Sequence, residues 1–108
     1  MKRSAIVLSV WIAALCTPTT QAADNVKISR ASLLTQPCFS CHGTNGNSTG
    51  IPIPSLAGQT EAALSVSLLA FKKGERPATL MTRIAKGYSD EDLQLIANYL
   101  ATEAKPTH

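Results

Sequence analysis

The sequence predicts an all-α domain of three to five short helices, and three observations carry that prediction. Apolar residues recur at intervals of three and four in three separate stretches beyond residue 27. The segments between those stretches are long and rich in Gly and Pro, the residues that punctuate chains. No run of alternating apolar and polar residues offers a strand.

Composition changes along the 108 residues. Lys2 and Arg3 precede an apolar run from Ala5 to Leu15, and small and polar residues follow as far as Gln21, Ala22 and Ala23. That order matches a secretory signal peptide, and the run is shorter than the roughly 20 apolar residues that span a bilayer. Residues 1–22 are therefore expected to be cleaved on export to the periplasm. Residues 23–108 remain as one domain that does not span the membrane.

The first element of that domain is a short helix over residues 28–36, with Ile28, Ala31 and Leu34 on one stripe. Pro37 lacks a backbone N–H and disfavours the helical region for Gln36, so this helix is expected to end or kink there. Residues 43–58 form a long loop containing Gly43, Gly46, Gly50, Pro52, Pro54 and Gly58. Loops of that length are uncommon in compact domains unless they serve a purpose, such as wrapping a cofactor edge. Thr60 caps a second helix that reaches about Lys73, carries Leu64, Leu68 and Phe71 on one face, and stops at Gly74. An irregular segment, 75–82, contains Pro77 and Met81. The last helix begins at Ser89, sets Asp90, Glu91 and Asp92 in its first turn, and buries Leu93, Ile96, Ala97 and Leu100.

A domain this small has a marginal core unless something supplements it. The supplement is not a set of disulfides, because Cys16 leaves with the leader and only Cys38 and Cys41 remain. Without Lys2 and Arg3, eight basic residues face seven acidic ones, a net charge of +1 that gives no support to nucleic-acid binding. The charge is nonetheless uneven: Lys72, Lys73, Arg76, Arg83 and Lys86 stand against Glu75 alone.

Cys38-Phe39-Ser40-Cys41-His42 supplies the missing piece, since CxxCH is the attachment signature of c-type haem. One turn of chain between the thiols sets both sulfurs near two vinyl groups of one porphyrin edge, and the adjacent imidazole turns inward to the iron. A thioredoxin-like site would need a βαβ pattern, which is absent from the sequence. A zinc site would have to combine Cys38, Cys41, His42 and His108, a poor match to the separated ligand pairs of structural zinc. The expected domain is thus a set of helices wrapped around one covalent haem c.

The second axial ligand follows by elimination. After cleavage Met81 is the one methionine, and it lies in a Pro-containing segment that can cross to the opposite haem face. A His/Met pair raises the reduction potential and suits electron transfer. Two alternatives stay open: His108 folding back to the iron, and an open sixth position suited to gas binding. A ligating His normally gives its other N–H to an oxygen, for which the Pro54 carbonyl is the candidate, with Leu56 near the ring.

The order helix, CxxCH, Gly/Pro loop, helix, Met segment and final helix resembles the class I cytochrome c family. Within it, residues 41–48, 54–59, 71–77 and 87–91 resemble the haem-subunit family of flavocytochrome c sulfide dehydrogenases. That resemblance implies a periplasmic flavoprotein partner that oxidises sulfide and passes electrons to the haem, so the chain would move electrons without being an enzyme by itself. It also implies Cys38, Cys41 and His42 as haem-binding residues and Met81 as the distal ligand. The alternative is a freely diffusing periplasmic shuttle between respiratory complexes, steered to acidic partners by the basic stretch from Lys72 to Lys86.

Overall fold

A computed structural model describes residues 28–50 and 52–107, and the expected signal peptide at residues 1–22 lies outside the described residues. Among the described residues four α-helices follow one another: α1 (Arg30–His42), α2 (Glu61–Lys73), α3 (Met81–Lys86) and α4 (Asp90–Glu103). A single 3₁₀ turn, Thr44–Gly46, follows α1, and there is no strand among the described residues. The all-α expectation agrees with this architecture.

The end of the chain sets the core. Ser89 Oγ accepts from the Asp92 N–H at 3.0 Å, and three carboxylates in the first turn complement the helix dipole. Leu93, Ile96 and Leu100 are each 1% exposed, and burying a side chain of that size contributes about 1.5–3 kcal/mol. This stripe meets Leu64 of α2, while Leu34, Phe39, Leu68 and Tyr88 pack around the edge of the cluster. Thr60 Oγ1 caps α2 by accepting from the Ala63 N–H, and Gly74 ends it with an N–H donated to the Phe71 carbonyl. Two ion pairs tie helix starts and ends together, Arg30 to Asp92 at 2.7 Å and Lys72 to Asp90 at 2.5 Å.

Two sequence expectations are corrected. Of the two outcomes expected at Pro37, an end or a kink, the end is ruled out, because α1 runs on through Pro37 to His42. A proline inside a helix costs about 3 kcal/mol, but the carbonyl it orphans belongs to Leu33, a residue 60% exposed to solvent. The turn beyond is held by Cys38 and Phe39 packing on the core and by Ser40 Oγ donating to the Pro37 carbonyl at 2.7 Å. The second correction is α3, which occupies part of the segment expected to be irregular. It has no side-chain cap at Leu80 and only six residues, so its place against α2 and the burial of Ala85 hold it rather than any local signal.

Candidate functional site

The candidate site begins in the last turn of α1. Cys38 and Cys41 are three residues apart on a helix and therefore share a face. Both are free thiols, Cys38 half-buried and Cys41 exposed. Burial pushes the Cys38 thiol up, its backbone hydrogen bond opposes this, and the neighbouring Cys41 adds a small further rise. Cys41 also lines an open cavity of about 230 Å³ together with Gly43, Ser48 and Ile53, so its sulfur can be reached from outside.

His42 is 8% exposed, and its Nδ1 lies 2.7 Å from the Pro54 carbonyl. A carbonyl can only accept, so Nδ1 carries a proton, and in the neutral ring this leaves the lone pair on Nε2. The sequence placed this contact correctly. It is built by the loop that follows α1. Gly43 leaves the helix at φ 84° and ψ 167°, a conformation open essentially to glycine alone. The Gly46 carbonyl then accepts from Leu56 N–H (2.7 Å), Ala57 N–H (3.0 Å) and Ser55 Oγ (2.8 Å), closing an Ω-like loop on itself. Ser48 Oγ donates to the Ile53 carbonyl at 2.6 Å, fixing the chain just ahead of Pro54.

These residues fit covalent haem: two free thiols one helical turn apart, beside a buried imidazole whose outer nitrogen is already engaged. They do not fit a bare metal ion, since no group of three or more His, Cys, Asp or Glu is arranged to hold one among the described residues. Met81 stands apart from this cluster as the first residue of α3, half-buried. His108 lies outside the described residues. Two neighbours of the site had no clear signal in the sequence. Tyr88, half-buried on the core, has its phenol pushed up by burial first, then by Cys38 and Asp92. Asn47 reaches 58 and 60 residues along the chain to the carbonyl of Lys105 and the N–H of Thr107.

Comparison with known proteins places this geometry. The cytochrome c family model matches residues 30–103. The chain is 41% identical over 87 residues to the cytochrome subunit of sulfide dehydrogenase of Chlorobaculum tepidum, covering 81% of this chain and 78% of that protein. It is 41% identical over 69 residues to cytochrome c-554(548) of Halomonas halodenitrificans, covering 61% and 83% respectively. A thiosulfate dehydrogenase electron acceptor of Stutzerimonas stutzeri is 40% identical over 67 residues, 59% of this chain but 31% of that protein. Matched from α1 to α4 and carrying Cys38 and Cys41 at the attachment spacing, the chain belongs to the cytochrome c family, electron-transfer proteins with covalently bound haem c.

Proposed function

We propose that this chain is the haem subunit of a periplasmic flavoprotein sulfide dehydrogenase, moving single electrons from the flavin partner to an acceptor. Residues 1–22 are the cleaved export signal and residues 23–108 the cytochrome domain. Cys38 and Cys41 would hold the haem covalently through their sulfurs, and His42 Nε2 and Met81 Sδ would ligate its iron. When bound, the haem supplies an iron that takes up and releases one electron at a time. The chain holds the ligands still: α1 fixes both sulfurs, and the Pro54 carbonyl fixes the tautomer and plane of His42 and makes Nε2 more basic.

The observation that carries the partner is the likeness to the Chlorobaculum cytochrome subunit over 81% of this chain. The test is gentle recovery of the native complex through this chain, followed by its visible spectrum. Flavin at a fixed ratio to haem is the expected result. Haem alone, on a small monomer, would replace this reading with the free shuttle, which the exposed cations Lys73, Arg76, Arg83 and Lys86 favour.

A further inference from the structure

We propose that Asn47 and residues 105–107 form a strap that positions the His42 ring, an inference that rests on His42 being the iron ligand. The Asn47 amide uses both of its ends on this segment. Nδ2 donates to the Lys105 carbonyl and Oδ1 accepts from the Thr107 N–H, each at 2.9 Å. Nδ2 also lies 3.4 and 3.3 Å from the carbonyls of Thr44 and Asn45, longer contacts within its own turn. One side chain thus pairs with two alternate backbone groups, as a neighbouring strand would, and this fixes which way the amide faces.

The same segment meets the far end of the loop. Gly58 donates its N–H to the carbonyl of buried Ala104 at 3.4 Å. Pro106 lies so close that a Cβ on Gly58 would stand 2.8 Å from its Cγ. The strap therefore touches the loop at 47 and again at 58. Next to the first point the Gly46 carbonyl gathers Ser55, Leu56 and Ala57, and the residue before Ser55, Pro54, supplies the oxygen that holds His42 Nδ1. Loosening the strap releases that oxygen, lowers the basicity of Nε2 and favours the reduced iron.

The experiment uses the haem-loaded protein as wild type, Asn47→Ala, Asn47→Asp and Asn98→Ala. Asn47→Asp keeps the acceptor for Thr107 but turns an oxygen toward the Lys105 carbonyl, so it stands in if Asn47→Ala does not fold. Asn98→Ala removes the Asn98 to Glu61 bond between α4 and α2 and is the control for general loss of stability. The readouts are solvent exchange of the His42 Nδ1 proton by NMR and the reduction potential. Exchange about tenfold faster and a potential shifted upward are expected in the Asn47 variants, with wild-type values in Asn98→Ala. Unchanged exchange and potential in the Asn47 variants, or equal changes in Asn98→Ala, would overturn the strap. Should the wild-type His42 ring protons show no shift from the oxidised iron, the ligand assignment fails instead, and the two failures are told apart.

Discussion

Gly43 is the position at which a single methyl group tests the whole site. A Cβ built there stands 2.0 Å from the Asn47 carbonyl oxygen and 2.7 Å from its carbon. Ordinary contacts begin near 3.4 Å, so the backbone at 47 has to move by more than an ångström. The φ of 84° with ψ near 167° adds about 1–3 kcal/mol of strain for any residue with a side chain. Gly43→Ala is therefore expected to cost more than ~3 kcal/mol, counting the strain and the overlap together. Gly50 is the internal reference. A Cβ added there would meet no atom within 4 Å and its φ is not positive, so Gly50→Ala should be neutral or stabilise by about 0.4–1 kcal/mol. Denaturant unfolding of the haem-loaded proteins, followed by far-UV circular dichroism and by the haem absorbance, measures both. A Gly43→Ala protein within ~1 kcal/mol of wild type, with an unaltered haem spectrum, would refute the close approach of α1's exit to the loop.

Four further outcomes are expected. Leu100→Ala removes a side chain that is 1% exposed and should cost about 3 kcal/mol, lowering the melting temperature by about 12–24 °C, while Leu95→Ala, at a 39% exposed position, should cost less than ~1 kcal/mol. Lys72 beside Asp90 and Arg30 beside Asp92 hold both carboxyls below the usual carboxylate range, first through direct hydrogen bonds. Both native values lie below the unfolded ones, so the stabilisation is present above about pH 4 and is lost as pH falls through the depressed values. Asp90→Asn and Asp92→Asn should flatten that part of the acid melting curve, and the effect should shrink in high salt because both pairs are reached by solvent. Met81→Ala should abolish the Met-to-iron charge-transfer band of the oxidised protein and lower its reduction potential, whereas an unchanged spectrum would remove Met81 as a ligand. Changing Cys38 and Cys41 together to Ser should give haem-free protein that is largely unfolded by circular dichroism, and a well-folded product would show that the helices need no cofactor.

The parts of this fold that could be read from sequence are those whose causes are local. Thr60 and Ser89 announce α2 and α4 because a hydroxyl capping the third N–H works within one turn, and Gly74 ends α2 for an equally local reason. Pro37 does not end α1 because the packing of Cys38 and Phe39 on the core outweighs a backbone preference, and no window of sequence contains that contact. α3 was not legible since Leu80 offers no cap and the burial of Ala85 depends on tertiary packing. In the site, CxxCH was legible by spacing and Pro54 by the need of a ligating imidazole for an oxygen. Asn47 was not, since nothing near it in sequence points to residues about sixty positions away.

The buried apolar core and the buried His42 fall on different elements, and the joints between them matter. The buried apolar residues, Leu64, Ala85, Leu93, Ile96, Ala97, Leu100 and Ala104, all come from α2, α3, α4 and the residue just beyond it. On α1 the buried residues are Thr35 and His42, both polar. His42 stands at the end of α1, away from the buried apolar residues, so its position depends on how α1 and the following loop are joined to the core. Three connections join them: the Arg30 to Asp92 pair at the start of α1, the packing of Leu34, Cys38 and Phe39 on the core cluster, and the Ala104 carbonyl on Gly58 at the end of the loop. The ion pair is exposed on the Arg30 side and weakens with salt, so at high ionic strength the packed turn and the buried end of α4 carry the restraint on His42.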